Sequence, residues 1–324
     1  MLTTSDFIHL PYTRDLTEAG IAYAVRSLSS AEETSYDRLR QIVAEVAVEL
    51  AFRRCLSEQN IPFDVIGATP FTEPDRYNVS LGGRRCKISS FLISHREKIS
   101  AMKRSPQIVL NAPALVPSDQ NAGEGHSDSH IYLFAFLSGL IAASQDELQK
   151  VLTANLPRYL MHAMPDLWAR PLQWNPLGAL VLKSDSEQSQ IVEIGGQDAG
   201  REIRSLIVEI PPHGRIQTDD RFFSLAYIHS KSIPNARIGI HSPLRRETYI
   251  INPLDWGNIW VYGIAILLAG FLTREEFNRR ARFVHEGARV FQYERTRTKT
   301  LAVSVSDLKP LSELFVRVKE WHTR

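Results

Sequence analysis

The sequence predicts an α/β fold with a mixed sheet in the N-terminal half, followed by a second domain of α+β type. Three observations support this prediction. A long helical segment covers residues 30–58, a strand and a hairpin follow within residues 62–93, and an almost continuous apolar run covers Ile131 to Leu140. Such a run is typical of a strand that is buried on both faces of a sheet. The order helix, strand, hairpin, helix, strand is that of an α/β core.

The composition sets limits on both architecture and function. With 324 residues, of which 44% are apolar and 23% charged, the chain can form two domains with sizeable cores. The net charge is only +2, so a nucleic-acid site must come from local clusters of Arg and Lys. The two cysteines, Cys55 and Cys86, lack zinc-site spacing. They indicate a reducing compartment, and together with a first segment unlike a signal peptide they predict a cytoplasmic protein.

The first predicted elements are a helix and a short strand. Ser30 and Glu33 fit a capping box at the helix start, and an apolar stripe continues until the helix ends ahead of Pro62. Residues Phe63 to Gly67 then form a short candidate strand.

A β-hairpin is predicted next, with arms Tyr77 to Leu81 and Arg84 to Ile93. Gly82 and Gly83 supply the positive φ angles that its two-residue turn requires. Because side chains alternate along a strand, Asn78 falls on a polar face of the first arm. By the same rule, Arg85, Lys87 and Ser89 share the polar face of the second arm.

The remaining elements follow from shorter patterns. In the N-terminal half they are a helix at His95–Arg104, a strand at Gln107–Leu110, the strand at Ile131–Leu140 and a helix that begins at Ser144. A polar, Gly-containing stretch near residue 184 predicts a boundary between domains 1–183 and 184–324. In the second domain they are strands at Glu202–Ile210, Phe222–Ile228, Tyr249–Ile251 and Thr300–Ser304, and helices at Trp256–Leu272, from Thr273, and at Leu308–Trp321.

The segment Trp256 to Leu272 has no charged residue. It is shorter than the roughly 20 residues that a membrane-spanning helix needs. The sequence therefore predicts a helix buried in the second domain and no membrane association.

From residue 36 to residue 140 the helix, hairpin and strands resemble the PD-(D/E)xK nuclease superfamily, which has the restriction-endonuclease-like fold. The resemblance implies an acid on the first hairpin strand and an acid-x-Lys triplet on the second. It also implies that these groups, often with a Glu from the preceding helix, hold Mg²⁺ or Mn²⁺, which activates water for phosphodiester hydrolysis. An ancestor that cut duplexes implies a homodimer in which each subunit cuts one strand.

Two registers place this motif on the chain. In the first, Asp75 is the acid and the triplet is Arg85-Cys86-Lys87. In the second, Asn78 takes the acid position and the triplet is Lys87-Ile88-Ser89. Strand alternation favours the second register, in which Asn78 and Ser89 stand at degenerate motif positions. Both registers lack the triplet acid, and a basic side chain there repels a divalent cation.

Catalysis survives only if the ligands have moved. Asp75 and Glu49 would then hold the metal, with Glu45 and Lys87 as further catalytic candidates. The competing interpretation is that Glu45 and Glu49 are ordinary helix residues that form ion pairs. A separate loop pattern, His126-x-Asp128-x-His130, has metal-capable side chains, but a polar surface loop explains it as well.

Basic residues gather where phosphate contacts are expected. The predicted nucleic-acid-binding residues are Arg84, Arg85, Arg279, Arg280, Arg282, Arg295, Arg297 and Lys299. Phe291 and Tyr293 alternate with the last of them and offer stacking surfaces.

These patterns lead to one functional hypothesis and two alternatives. The hypothesis is a catalytically degenerate PD-(D/E)xK-like protein that binds or scaffolds DNA or RNA in a restriction, defence, repair or mobile-element system, as the resemblance implies. One alternative is an active Mg²⁺-dependent nuclease with relocated ligands. The other is a structural subunit of a larger assembly, whose Trp256–Leu272 helix forms part of an interface.

Overall fold

The structure is a computed structural model. It describes residues 2–27, 36–65, 79–122, 127–141, 160–230, 234–258 and 262–322, together with isolated positions between 144 and 153 and at 232. The chain divides into two compact units. The first unit comprises Met1–Thr17, Ala44–Leu140 and Gly263–Arg324, and the second comprises Glu18–Val43 and Ile141–Tyr262.

The described residues form 18 strands and eight α-helices. The strands are β1 (Ile8–Leu10), β2 (Asp64–Val65), β3 (Val79–Leu81), β4 (Arg84–Ile93), β5 (Pro113–Pro117), β6 (Ile131–Leu140), β7 (Leu160–Ala163), β8 (Ala179–Ser184), β9 (Gln190–Gln197), β10 (Ile203–Ile210), β11 (Arg215–Arg221), β12 (Ser224–Ser230), β13 (Ile238–Ser242), β14 (Glu247–Ile251), β15 (Gly257–Asn258), β16 (Tyr262–Thr273), β17 (Arg282–Val284) and β18 (Thr300–Ser304). The helices are α1 (Arg14–Ser27), α2 (Tyr36–Glu58), α3 (Arg96–Arg104), α4 (Gln107–Leu110), α5 (Ser118–Ala122), α6 (Asp166–Ala169), α7 (Arg274–Arg280) and α8 (Leu311–His322).

A six-stranded mixed sheet forms the centre of the first unit, in the order β1-β16-β6-β4-β3-β2. The pairs β2/β3, β3/β4 and β1/β16 are antiparallel, whereas β4 and β6 run parallel. All ten residues of β6 are buried, as the apolar run predicted. A three-stranded sheet, β17-β18-β5, belongs to the same unit.

The second unit contains two antiparallel sheets, in the orders β10-β9-β12-β7-β15 and β11-β8-β13-β14. Strands of both sheets contribute to one apolar cluster that includes Leu182, Ile194, Ile228 and Ile240. Each of these strands gives one face to the cluster, so buried apolar residues alternate with more exposed ones along it. The predicted domain boundary at residue 184 falls at the end of β8. The assignment of domains 1–183 and 184–324 stays a prediction.

Helix α1 was absent from the sequence-based description, and it packs closely on α2. A Cβ atom at Gly20 would lie 2.8 Å from Val43 Cγ1, so the helices approach each other as closely as a glycine permits. At the start of α1, Asp15 forms an ion pair with Arg54 of α2. The predicted start of α2 at Ser30 lies outside the described residues.

Two predicted elements are wrong. Gln107–Leu110 is the short helix α4 and not a strand, because a four-residue apolar run has no period that distinguishes the two. Trp256–Leu272 is not a helix, since Gly257–Asn258 belong to β15 and the residues from Tyr262 belong to β16. Strand β16 lies between β1 and β6, and its consecutive residues 266–272 are all buried, so both faces are covered and both are apolar.

Several other predictions are confirmed. They are the hairpin β3–β4, helix α3, strands β6 and β18, and the capping box at the start of α7. In that box, the Glu276 backbone N–H donates to Thr273 Oγ1 at 3.2 Å and the Thr273 N–H donates to Glu276 Oε2 at 3.2 Å. Within the described ranges, none of the helices has the length and apolar character needed to cross a membrane.

Candidate nucleic-acid interface

Strand β4 presents Arg85, Lys87 and Ser89 on one face, and its sequence contains no carboxylate. Lys87 stands opposite Tyr132 in the parallel ladder, and its Nζ donates to Gln120 Oε1 at 2.6 Å. The amine therefore has a neutral amide at its side. Among the described residues, no three His, Cys, Asp or Glu side chains form a group that could hold a metal ion.

The two motif registers remain open. Asp75 and Asn78, the acid positions of the two registers, lie outside the described residues. The first and third residues of the two triplets are Arg85, Lys87 and Ser89. These side chains share one face of β4, because residues two apart in a strand point the same way. In either register, the side chains on that face are positive or neutral.

Helix α2 places Glu45 and Glu49 one turn apart. Glu49 forms an ion pair with Arg53, and both side chains are largely buried. Burial raises the pKa of Glu49, and the neighbouring charge of Arg53 acts in the opposite direction.

The Glu45 carboxylate acts electrostatically on Tyr293. Burial and then the Glu45 charge raise the pKa of Tyr293 to about 12. The Tyr293 ring packs edge-on against Phe91 with centroids 6.3 Å apart. Phe91 is about 13 Å along β4 from Lys87, given the rise of a strand. The Glu45 charge therefore acts near the Phe91 end of β4.

The hairpin turn is fixed by two glycines and by helix α8. Gly82 and Gly83 have φ angles of 56° and 75°, as a primed turn requires. A Cβ atom at Gly82 would lie 2.8 Å from Trp321 Cβ. The Arg84 guanidinium stacks 3.4 Å above the Trp321 ring, and burial lowers the pKa of Arg84. Arg84 is thus engaged in packing the hairpin onto α8.

The basic clusters differ in how their charges are used. Arg279 forms an ion pair with Glu275 of the same helix, and Arg280 Nη1 donates to the Asp307 carbonyl at 2.6 Å. These two guanidinium groups have partners within the fold.

The following segment is different. Between Arg282 and Lys299 the sequence has five basic and two acidic residues, against a net charge of +2 for the whole chain. The basic residues are Arg282, Arg289, Arg295, Arg297 and Lys299. Within the part of the chain that the structure describes, none of the five has an ion-pair partner. All five are exposed. We call this segment, residues 282–299, the basic segment.

Aromatic side chains accompany these charges. Phe283 on the edge strand β17 is 62% exposed, and Lys299 Nζ lies 4.5 Å from the centre of its ring. Lys98 Nζ of α3 lies 5.9 Å from the centre of the Phe291 ring. The sequence-based description missed Phe283 and Lys98. Phe283 directly follows Arg282, and this pair of an aromatic and a basic residue is the sequence feature that could have identified it.

The Lys87 face and the basic segment meet at α5. Gln120, which accepts from Lys87, belongs to this helix. The Ser118 N–H at its start donates to the Lys299 carbonyl at 3.0 Å. Asp119 is an exposed acid between them. The structure therefore brings two predicted sites, distant in sequence, to residues two positions apart on one short helix.

The loop that contains Asp128 and His130 is bound to the start of helix α7. Arg274 Nη1 pairs with Asp128 at 3.2 Å, and Arg274 Nη2 donates to the Asn121 carbonyl at 2.9 Å. The Arg274 N–H also donates to the buried His130 through its backbone carbonyl at 2.8 Å. Two residues of the possible metal pattern thus anchor α7, and His126 lies outside the described residues.

Taken together, the geometry suits an anion better than a cation. The Lys87 amine lies beside α5, and the basic segment combines exposed cations with the exposed rings of Phe283 and Tyr293, which can contact phosphates and bases. Comparison with known proteins adds no name to this site. No family model, no curated protein and no solved structure matches the chain.

Proposed function

We propose that this protein binds nucleic acid through the basic segment and that its PD-(D/E)xK-like core is catalytically degenerate. The observation that carries the proposal is the group of five basic side chains that lack ion-pair partners among the described residues. A single surface cation is well solvated and needs no binding partner. A cluster of such cations on one segment of a nearly neutral chain, in contrast, favours a polyanionic ligand.

The order of elements supports the nuclease-like ancestry. Helix α2 precedes the antiparallel strands β2, β3 and β4, and after α3 the chain returns as β6, parallel to β4. The resemblance drawn from the sequence implies this restriction-endonuclease-like core. The second and third strands of such a core hold the metal ligands, and here β4 offers Arg85 and Lys87 instead of an acid.

The chemistry of β4 supports the loss of catalysis. A divalent cation needs several oxygen ligands, whereas a guanidinium or ammonium group at the same place repels it. The same positive groups can still hold a phosphate of the former substrate. The proposal therefore keeps DNA or RNA as the partner and treats Mg²⁺ or Mn²⁺ as relevant only to a surviving activity. It also keeps the cytoplasm as the compartment, where the buried free thiols of Cys55 and Cys86 would stay reduced.

Salt-dependent binding of labelled oligonucleotides tests the proposal. We expect the triple variant Arg295→Gln, Arg297→Gln, Lys299→Gln to bind about 10- to 100-fold more weakly than the wild type in fluorescence anisotropy, because up to three phosphate contacts are lost. The slope of log K against log salt should fall by roughly 0.7 to 0.9 for each lost phosphate contact.

A charge-matched control removes three cations elsewhere. Lys183, Arg204 and Arg237 of the second unit are exposed and lie beside Asp185 or Asp198. Their replacement by Gln changes the net charge equally and should leave the affinity within about threefold. Equal losses in both triple variants would show that net charge alone drives binding. The absence of any binding by the wild type would refute the proposed function.

Cleavage assays decide between a degenerate and an active core. We expect no cutting of labelled single strands or duplexes in Mg²⁺ or Mn²⁺ by protein that binds them. Cutting that disappears in both Asp75→Ala and Glu49→Gln, with binding intact, would instead establish an active nuclease with relocated ligands. The structural-subunit alternative loses its main support, since the segment Trp256–Leu272 forms strands at its described residues 257–258 and 262–272, and residues 266–272 are buried.

A further inference from the structure

We infer that the edge strand β17 forms a stacking platform that gives the protein a preference for single-stranded over duplex nucleic acid. This inference rests on the proposed function and adds the class of ligand. Its central residue is Phe283, whose role neither the motif nor the basic clusters predicted.

The exposure of Phe283 is the first observation. Phe283 is 62% exposed on a strand whose outer edge pairs with none of the strands formed by the described residues. A large aromatic ring in this position leaves apolar area in water. A ligand that covers the ring would remove that area from solvent.

The neighbours of Phe283 specify the kind of ligand. Phe283 pairs with Leu301 on β18, so the two side chains share a face, and Lys299 lies two residues before Leu301. Its Nζ is 4.5 Å from the centre of the Phe283 ring. Arg282 projects from the opposite face of the same edge strand and is also exposed. Lys299 therefore stands beside the exposed ring, and Arg282 adds a second cation on the other face of the same edge strand.

Rings and cations are also neighbours further along the basic segment. The Phe291 ring has Lys98 at 5.9 Å, and the charge of Arg297 lowers the pKa of Tyr293 against the larger effects of burial and Glu45. Tyr293 is 37% exposed. Alternating rings and cations match a strand of nucleotides, in which each base offers a π-face and each linkage a negative charge. The acids Glu286 and Glu294 are the opposing charges within the segment.

A duplex fits this surface less well. Its bases are stacked on each other and paired, so an exposed ring cannot reach a base face without unstacking the helix, which costs a few kcal/mol per step. A single strand presents its base faces without that cost. Stacking on Phe283 therefore favours unpaired DNA or RNA, whereas the cations alone would bind both forms.

The experiment compares single-stranded and duplex oligonucleotides of equal length with the intact chain. Fluorescence anisotropy would be measured with labelled 15-nucleotide poly(dT) and poly(U) and with a 15-base-pair DNA duplex, at several salt concentrations. The wild type is expected to bind the single strands more tightly than the duplex at each salt concentration.

Three variants separate stacking from other effects. Phe283→Ala and Phe283→Leu should each weaken single-strand binding by about 5- to 150-fold, the range for loss of one stacked base, and should leave duplex binding within about threefold. Phe283→Leu keeps an apolar side chain, so it controls for folding and for general hydrophobic contact. Val316→Ala removes another exposed apolar side chain, on α8, and should change neither affinity.

Each outcome has one meaning. If Phe283→Leu binds single strands like the wild type, or if both Phe283 variants weaken single strands and duplex equally, the stacking platform is refuted while nucleic-acid binding stands. The platform is also refuted if Phe283 variants keep full oligonucleotide affinity, and the exposed ring then serves another contact, such as a protein partner. If the wild type binds neither form, the proposed function itself fails.

Discussion

His162 on β7 is held at both of its ring nitrogens. Nδ1 lies 2.9 Å from the carbonyl oxygen of Asp255, and Nε2 lies 2.9 Å from the Tyr249 hydroxyl. A carbonyl can only accept, so Nδ1 bears the proton and Nε2 accepts from Tyr249. Burial lowers the pKa of His162, while the hydrogen bond to Asp255 opposes this shift. The folded protein thus favours the neutral ring.

This pKa shift makes the stability of the protein depend on pH. Below the ordinary value of 6.5 the unfolded chain binds a proton that the folded chain does not bind, down to the lowered folded pKa. His162 therefore contributes stability above pH 6.5 and loses this contribution as the pH falls. We expect His162→Gln to cost about 1–3 kcal/mol at pH 7.5, because it disturbs two buried hydrogen bonds. We also expect it to lose less stability than the wild type between pH 7.5 and 5.5.

Urea unfolding at the two pH values measures both effects. His9→Gln serves as the control, since His9 is exposed on β1 and its replacement should change little. An unchanged pH dependence in His162→Gln would show that another group causes the loss of stability in acid.

At the scale of elements, the β3–β4 hairpin is defined by its turn and by the helix packed against it. Gly82 and Gly83 both have positive φ, but only Gly82 also faces the Trp321 side chain. A Cβ atom at Gly83 would meet no atom within 4 Å. The two adjacent glycines thus separate backbone conformation from packing.

We expect Gly83→Ala to cost about 1–2 kcal/mol, the penalty for a left-handed alanine. Gly82→Ala should cost more, because its methyl group would also displace Trp321 and with it the stacked Arg84. Denaturant unfolding of both variants measures the difference. Equal costs would contradict the role of Trp321 in holding the hairpin.

At the scale of the whole molecule, the first unit is assembled from three separate stretches of chain. The sheet order joins these stretches, since β16 of the third stretch lies between β1 of the first and β6 of the second. Strand β6 in turn pairs with β4. Leu133 is fully buried at its middle, whereas Leu172 of the second unit is fully exposed. Burial of a leucine thus depends on its place in the fold. The distribution of charge does so too, because the net charge of +2 does not reveal the locally basic segment.

Leu133→Ala should lower the free energy of unfolding by about 2–5 kcal/mol through lost apolar contacts and a cavity. Leu172→Ala makes the same chemical change on the surface and should stay within about 0.5 kcal/mol of the wild type. Thermal and urea unfolding provide the comparison. A small effect of Leu133→Ala would mean that the sheet readily repacks around β6.

Local rules were enough for the elements whose signals lie within a few residues. The diglycine turn needs only the φ freedom of glycine, the capping box of α7 needs only Thr273 and Glu276, and the apolar run of β6 is long enough to indicate a buried strand. Tertiary structure decided the rest. The run at residues 262–273 became a strand because β1 and β6 were available to pair with it. Arg279 and Arg282 are neighbours in sequence, but only the first has a carboxylate partner among the described residues. The exposure of Phe283 likewise depends on its place at a sheet edge, since burial and ion pairing are set by groups that are distant along the chain.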